Sequence, residues 1–369
     1  MKKYLIAALT LALCGFCAVS CGNNGPKAIK DSVAEAADTL GSDSYGVARL
    51  SVINFNTGPS LHKESDSQAL MGTPMKLIAK KNGWTLAVTP EGYESWVSST
   101  SVAEMTKQEL KDYLAKPKII VISDYAKIYM DPDIKSMPVS DAVAGCILID
   151  GGKHIKDFSK VEIADGRTGY IKSDKVEKFS EWMHKPLPSA ENIISTAKRF
   201  MGVPYVWGGT SIKGVDCSGF TKSVYFLNGV ILKRNAWQQA MTGTDVDISG
   251  YTNGGKYTLE SLKNLKPGDL LFFGNKAANG KKEHVTHTAI YVGNGVFYQS
   301  SGHVRISSLI PSESNKYIKY KNLLCAKRIL GNINNGKGII SVRNSVYAGL
   351  KEKARLEKHP GYEDGFGKN

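Results

Sequence analysis

The heptapeptide "GVDCSGF", residues 214–220, sets a cysteine between an acidic residue and two small residues. The apolar residues that follow predict a helix from about Cys217 to Leu227, and Asp216 is well placed to cap its first turn. Unpaired N–H groups and partial positive charge at a helix N-terminus favour a thiolate over a thiol. The pattern therefore predicts a nucleophile, against the general tendency of free cysteines to be buried structural residues.

The segment "HVTHTAIYVGNGVFYQSSGHVRI", residues 284–306, contains a candidate base for that nucleophile. It predicts a β-hairpin with one strand from His287 to Val292, a Gly-Asn-Gly turn, and a return strand. Alternation along the strands puts Gln299 on the same face as His287. His303 has the same parity, so strand geometry alone does not distinguish Gln299 from His303.

A separate domain is predicted to begin after the prolines that follow Lys185, where "SAENIISTAKRFMG" indicates a helix capped by Ser189. Within it, "PYVWGG", "DCSGF", "LKPGDLLFF" and "HTAIYVG" resemble, in order and spacing, the NlpC-type cell-wall cysteine peptidases. The resemblance implies a papain-like α+β catalytic domain over residues 185–330, with Cys217 as nucleophile and His287 as base. It also implies that Gln299, where many relatives have histidine, orients the imidazole, with His303 as the alternative.

The N-terminal half contains a repeat. "GWTLAVTPEGYESWVSSTSV", residues 83–102, aligns without gaps on "DFSKVEIADGRTGYIKSDKV", residues 157–176. Each copy predicts a strand, a glycine turn and a second strand. The copies resemble bacterial SH3-type barrels, which we assign to residues 44–105 and 117–180. The predicted fold class is therefore α+β, a papain-like domain preceded by two small all-β barrels.

This domain order is similar to that of the subgroup that cleaves the γ-D-glutamyl bond to the diamino acid of peptidoglycan stem peptides. The resemblance implies a thioacyl intermediate on Cys217, with oxyanion stabilisation by its own N–H and by Tyr205. It implies substrate contacts from Tyr93, Tyr205, Trp207, Asp216, Ser218, Arg234 and Asn235. Relatives that require a free N-terminal L-Ala have carboxylates at the positions of Gly58 and Asn235. We therefore expect little discrimination between free and acylated peptides.

The first residues, "MKKYLIAALTLALCGFCAVSC", have the basic, apolar and small-residue regions of an export signal. Their end resembles a lipoprotein lipobox, which implies a signal over residues 1–20, lipid on Cys21 and a linker to residue 43. The chain is thus expected to be exported and lipid-anchored, on the periplasmic side of a Gram-negative envelope. Three cysteines then remain, so at least one thiol stays unpaired; Cys146 and Cys325 lie in apolar runs that predict buried strands.

The formal charge of +14 is spread along the 369 residues and forms no block interleaved with aromatics. A nucleic-acid partner is therefore disfavoured, and anionic wall polymers or lipid head groups account for the basic charge. No metal or other cofactor is expected. Residues 331–369 are predicted to form a surface extension. Two alternatives stay open: a catalytically inactive wall-binding lipoprotein, and an amidase or acyltransferase on the same core.

Overall fold

The computed structural model describes residues 37–248, 257–276, 283–310 and 323–350, together with the backbone of residues 362–363 and 366–367. The predicted signal, Cys21 and most of the predicted linker lie outside these ranges. Three larger antiparallel sheets follow one another along the described chain, and most of its helices accompany the third.

The first sheet contains β1 (Asp38–Thr39), β2 (Ser44–Ala48), β3 (Val52–Asn56), β4 (Ser65–Leu70), β5 (Pro74–Lys81), β6 (Trp84–Val88), β7 (Glu94–Ser98) and β8 (Val102–Thr106). The second contains β9 (Lys118–Val121), β10 (Tyr125–Tyr129), β11 (Pro138–Val143), β12 (Ile147–Ile155), β13 (Phe158–Glu162), β14 (Thr168–Lys172) and β15 (Val176–Lys178). Helix α1 (Lys107–Ala115) connects them, and a capping box between Thr106 and Glu109 starts it.

The remaining strands are β16 (Thr210–Ser211), β17 (Gly214–Val215), β18 (Val230–Ile231), β19 (Thr244–Asp245), β20 (Leu270–Asn275), β21 (His284–Gly293), β22 (Val296–Ser301), β23 (His303–Ser308), β24 (Leu323–Arg328), β25 (Ile340–Ser341), β26 (Tyr362–Glu363) and β27 (Phe366–Gly367). The remaining α-helices are α2 (Phe179–Met183), α3 (Ala190–Arg199), α4 (Cys217–Phe226) and α5 (Ala236–Gln239). Within the described residues, five 3-10 helices cover Ser99–Ser101, Ser173–Lys175, Glu260–Leu262, Val342–Asn344 and Val346–Ala348.

The first two sheets have the same strand order. The first runs β4-β3-β7-β6-β5-β2-β8, with β1 beside β5, and the second runs β11-β10-β14-β13-β12-β9-β15. The gapless alignment of the repeat holds in the structure, because β6, β7 and the start of β8 coincide with β13, β14 and the start of β15. Both turns contain a glycine at a φ of 86°, a conformation that residues with a Cβ rarely adopt. The predicted strand, turn and strand are thus confirmed in both copies.

The third sheet has the order β19-β24-β20-β21-β22-β23 and lies within residues 185–330, the predicted catalytic domain, which is called the catalytic segment below. Helix α4 packs against β21 and against helix α3. Ser189 caps α3 as predicted, within a capping box completed by Asn192, and Ile193, Ala197 and Phe200 bury one side of the helix. A largely apolar core runs without a break from the second sheet through α3 and α4 into the third sheet, so these parts are held together by shared packing.

The prediction of a surface extension for residues 331–369 is wrong for its first, described part. Strand β25 pairs with β18, and Val342 and Val346 are fully buried. Tyr347 packs against Phe179 and Phe226, and its hydroxyl lies 3.3 Å from Thr73 Oγ1. Burial of these apolar side chains stabilises the contact between the first sheet and the catalytic segment.

Cys146, Cys217 and Cys325 are all free thiols in the described chain. Cys146 is fully buried in the turn before β12, and burial is the main cause that raises its pKa to about 12. Cys325 lies in β24, as expected, but is only partly buried. None of the helices in the described ranges has the length and apolarity needed to cross a membrane.

Candidate active site

Helix α4 begins at Cys217, and Asp216 caps it as the sequence predicts. Asp216 Oδ1 accepts a hydrogen bond of 2.6 Å from the backbone N–H of Gly219. A Cβ at Gly219 would lie 1.9 Å from the carbonyl oxygen of Gly209. The glycine of "DCSGF" therefore allows the first helical turn to pack directly on the preceding loop, which fixes the position of Cys217.

The carboxylate of Asp216 is held on every side by protein donors. Arg234 pairs with both of its oxygens, through Nη2 at 2.5 Å and Nη1 at 3.2 Å, and Gly208 N–H donates to Oδ2 at 3.0 Å. Arg234, only 1% exposed, also donates to Ser218 Oγ and, through Nε, to Ser67 Oγ of the first sheet. Asp216, Arg234 and Ser218 were expected to contact substrate; in the structure they form a buried network that supports the start of α4.

Cys217 is 8% exposed, and the backbone N–H groups of Thr288 and Ser218 act to lower the pKa of its thiol. Burial, followed by the negative charge of Asp216, raises the pKa of the thiol to about 11 despite those donors. The expectation of a thiolate is therefore wrong for the unliganded protein, because desolvation outweighs the helix terminus. The backbone N–H of Cys217 has no acceptor among the described residues, which leaves it available to a ligand.

His287 lies on β21 beside the thiol-bearing helix, and Gln299 on β22 holds its ring. Gln299 Nε2 donates to Ser307 Oγ at 2.6 Å, so its Oε1 faces His287 Nε2 at 2.7 Å and accepts the proton there. This arrangement leaves the lone pair on Nδ1. Burial is the main cause that lowers the pKa of His287 to about 4, so the imidazole is neutral at pH 7.

Strand β22 ends sooner than the predicted return strand. The chain reverses at Gly302, with a φ of 74°, and β23 then pairs back onto β22. His303 opens β23, is exposed, and bridges Pro204 through its backbone. The structure thus brings Gln299 to His287, whereas His303 lies beyond the reversal. The hairpin turn itself comprises Asn294 and Gly295, with a register irregularity before Gly293 that keeps Gln299 in the predicted position.

The other sequence-predicted residues lie around this centre. Tyr205 is half-buried, and burial, then the proximity of Cys217 and Asp216, raises its pKa. Trp207 is 60% exposed. Tyr93 lies on the first sheet, where its hydroxyl donates to Asp66 Oδ2 at 3.2 Å and also contacts the Asn235 side chain. Asn235 is the N-terminal cap of α5.

Several contributing residues were missed from the sequence. Ser307 fixes the Gln299 amide, and Asp66 and Ser67 bring strand β4 to Tyr93 and Arg234. The Ser-Gly-His sequence at residues 301–303 could have indicated the chain reversal that brings Ser307 back to Gln299. No local sequence pattern indicates the position of Asp66. No group of three or more His, Cys, Asp or Glu side chains within the described residues is arranged to hold a metal ion.

A thiol at a helix start, a neighbouring imidazole and an amide that holds the imidazole form the constellation of a cysteine peptidase. Residues 202–326 match the NlpC/P60 family, and the chain carries an NlpC/P60 domain there.

Two curated relatives extend the likeness over most of the chain. A gamma-D-glutamyl-L-lysine dipeptidyl-peptidase of Bacillus cereus is 28% identical over 264 residues, which cover 69% of this chain and 72% of the relative. Dipeptidyl-peptidase 6 of Lysinibacillus sphaericus is 26% identical over 69% of this chain and 88% of its own length. The crystal structure of an NlpC/P60 family protein from Bacillus cereus has a TM-score of 0.63 at 22% identity and covers 78% of this chain and 99% of that one. The similarity to that structure extends to the fold.

Proposed function

We propose that the protein is a peptidoglycan hydrolase that cleaves the bond between γ-D-Glu and the diamino acid, Lys or diaminopimelate, of cell-wall stem peptides. The observation that carries the proposal is the position of Cys217 at the start of α4, a helix that packs against β21, the strand that carries His287 with its Gln299 partner. Two relatives named as dipeptidyl-peptidases, alike over 69% of this chain, support the substrate class.

Cys217 is the proposed nucleophile and His287 the proposed base. The sulfur attacks the γ-carbonyl carbon while His287 Nδ1 takes the thiol proton, and the Cys217 N–H stabilises the oxyanion. Collapse of the tetrahedral intermediate breaks the amide C–N bond, and His287 returns the proton to the leaving amine. Water, deprotonated by His287, then hydrolyses the thioester and releases the γ-carboxylate. Because the free thiol and imidazole are both neutral, the proton moves during attack.

Gln299 is the proposed orienting residue, and Tyr93, Tyr205, Trp207 and Asn235 the proposed cleft residues. The two N-terminal sheets are proposed to be bacterial SH3-type barrels, over residues 44–105 and 117–180, ahead of a papain-like domain over residues 185–330. The strand order shared by the two sheets supports this proposal. We place the protein at the cell wall, with lipid on Cys21 as the membrane attachment.

Incubation with the tripeptide L-Ala-γ-D-Glu-L-Lys, followed by mass spectrometry, tests the proposal. We expect L-Ala-D-Glu and free Lys, with one atom of ¹⁸O in the dipeptide when the reaction runs in labelled water. Transfer of the acyl group to an added amine, in place of ¹⁸O incorporation, would establish the acyltransferase alternative. An intact tripeptide and intact muropeptides would favour the inactive wall-binding protein.

A further inference from the structure

A second buried side chain lies behind the amide that holds His287. Ser307 on β23 accepts a hydrogen bond of 2.6 Å from Gln299 Nε2, while Gln299 Oε1 lies 2.7 Å from His287 Nε2. Gln299 and Ser307 are both fully buried, so bulk water replaces neither contact. The imidazole, the amide and the hydroxyl therefore form one chain of two hydrogen bonds.

The pairing of the strands fixes the place of Ser307 in this chain. Gln299 on β22 lies opposite Arg305 on β23. Phe297, two residues earlier on β22, lies opposite Ser307, so Ser307 is the diagonal neighbour of Gln299 on the same face of the sheet. Strands β21, β22 and β23 are consecutive in the sheet, which sets the three side chains in a row across it.

Protonation of His287 determines the direction in which the chain of hydrogen bonds must run. An amide can present either its oxygen or its NH2 group to an imidazole. Once His287 Nδ1 takes the thiol proton, Nε2 also carries a proton, so the amide oxygen must face it. The NH2 group of Gln299 then points away and requires an acceptor, which the Ser307 hydroxyl supplies. Because consecutive hydrogen bonds polarise one another, Ser307 strengthens the bond between Gln299 and the imidazolium.

The other influences on the charge of His287 make this support valuable. Burial is the main cause that lowers the pKa of His287 to about 4, and the hydrogen bond with Gln299 is the main cause that opposes it. The positive charge of Arg305 lowers the pKa further, and the carboxylate of Asp216 raises it. That carboxylate already pairs with Arg234 through both of its oxygens. The neutral amide is thus the principal group that favours the imidazolium.

We propose that Ser307 is a positioning residue that stabilises the imidazolium form of His287 through Gln299, an inference that rests on the proposed function. In the step concerned, one proton moves from the Cys217 sulfur to His287 Nδ1, and no covalent bond to Gln299 or Ser307 forms or breaks. Ser307 acts on the charge that develops during attack. Its removal should therefore slow turnover without weakening substrate binding.

Kinetics on L-Ala-γ-D-Glu-L-Lys test the inference through a double-mutant cycle. Ser307→Ala should lower kcat about fivefold with an unchanged KM. In a Gln299→Ala background the same substitution should have no further effect, because the hydroxyl acts through the amide. Ser308→Ala is the matched control and should retain the wild-type kcat. Ser308 is the next residue on β23 and is also buried, but its hydroxyl bonds the backbone of Gly295 and Ile310.

The pKa of His287 in the unliganded protein gives a readout that needs no activity. Titration followed by NMR reports each imidazole, and the His287 signal is the one missing from His287→Gln. We expect Ser307→Ala to lower the proton affinity of His287 at least about threefold, a fall of about 0.5 in its pKa. Ser308→Ala should leave the His287 titration unchanged.

An unchanged His287 titration in folded Ser307→Ala would overturn the inference while leaving the proposed function intact. A kcat loss that adds in full to that of Gln299→Ala, or an effect confined to KM, would overturn it as well. Should Ser307→Ala not fold, Ser307→Cys takes its place, because a thiol of similar shape accepts hydrogen bonds only weakly and should shift the titration in the same direction. If wild type hydrolyses no peptide, the proposed function fails, and the titration alone decides.

Discussion

The first and second sheets share one strand order, yet the residues at their matched turns make different contacts. At the position where the first sheet has Tyr93, the aligned residue of the second is Arg167. Tyr93, a proposed cleft residue, donates a hydrogen bond of 3.2 Å to Asp66 Oδ2. Arg167 instead pairs with Asp165 at 2.9 Å and donates to the Arg49 carbonyl at 2.8 Å, at the junction of the two sheets.

The two sheets also contact the catalytic segment through different kinds of group. The first does so through the buried Ser67–Arg234 hydrogen bond and through Gln68. The second does so through partly exposed ion pairs, Asp124 with Arg199 and Asp141 with Lys213. Repetition of a fold therefore does not repeat a function, because the side chains on one turn and one edge strand decide what each copy touches.

The largest expected effect is a loss of stability on removal of an arginine. Arg234 joins the first sheet to the catalytic segment, and Arg167 joins the first sheet to the second. Arg234→Ala leaves the Asp216 carboxylate buried without its partner, and we expect it to lower the free energy of unfolding by roughly 3–5 kcal/mol. Arg167→Ala removes a partly exposed pair, and we expect a loss of at most about 1 kcal/mol. Urea titration of both variants measures the difference. Equal losses would mean that the two junctions are energetically alike.

The next prediction concerns the third sheet and tests which residue orients the His287 ring. Gln299→Ala removes the acceptor that holds the His287 ring, and we expect kcat to fall about tenfold to a hundredfold. Gln299→His should recover most of it, since an imidazole nitrogen can take the same proton. His303→Ala serves as the control, because His303 is exposed. A larger kcat loss in His303→Ala would transfer the orienting role to that residue.

A smaller effect is expected in the proposed cleft. Tyr93→Phe removes the hydroxyl that donates to Asp66 in the proposed cleft, and we expect KM to rise roughly threefold to tenfold with little change in kcat. Tyr125→Phe is the matched change on the second sheet, where the hydroxyl donates to the Ile212 carbonyl at 3.1 Å. Steady-state kinetics on the tripeptide should show no KM change there. A similar rise in both variants would erase the functional distinction between the sheets.

The smallest expected effect is the contribution of one ionised carboxylate to stability, and its sign differs between Asp66 on the first sheet and Asp141 on the second. The pKa of Asp66 is raised to about 6, mainly by burial, so its ionised form destabilises the folded protein above that pH. Burial also acts to raise the pKa of Asp141, but hydrogen bonds from Lys213 and Ser51 and the Lys213 charge lower it overall, so its ionised form is stabilising.

At pH 7.5 we therefore expect Asp66→Asn to raise the melting temperature by a few degrees, about 2–4 °C per kcal/mol, and Asp141→Asn to lower it. At pH 3, below the raised pKa of Asp66, the Asp66→Asn difference should shrink, and the Asp141→Asn difference should shrink as the pH falls toward the lowered pKa of Asp141. Melting temperatures measured from pH 3 to pH 8 provide the check. A rise for Asp141→Asn or a fall for Asp66→Asn at pH 7.5 would contradict the charge assignment.

The sequence was sufficient wherever a local pattern determined the structure. Asp216 and Ser189 cap the predicted helices, and the Gly92 and Gly166 turns occupy matched places in the repeat. The predicted hairpin turn was one residue too long. A register irregularity in the hairpin compensates for this, so Gln299 still lies at the predicted position relative to His287. Period-two alternation and capping depend on neighbouring residues only.

The sequence was insufficient where distant segments meet. Asp66 comes near Arg234 because β4 packs on residues some 140 positions later, and Ser307 reaches Gln299 because the chain reverses at Gly302. Burial of Cys217 likewise reversed the expected direction of its thiol pKa. Apolar residues between 331 and 350 were not recognised as core because their partners lie on both N-terminal sheets and on α2 and α4. Each of these effects is tertiary, and no local window contains it.

The central claim is that Cys217 is the nucleophile of a peptidoglycan hydrolase, and the direct measurement is tripeptide hydrolysis by three matched cysteine-to-serine variants. Cys217→Ser should lose at least a thousandfold in kcat/KM while keeping the wild-type melting profile. Cys325→Ser, at a partly exposed thiol on β24, should retain wild-type activity. Cys146→Ser, at a buried thiol that hydrogen-bonds the Ser51 carbonyl, should affect stability before activity. Near-full activity in folded Cys217→Ser would contradict the account.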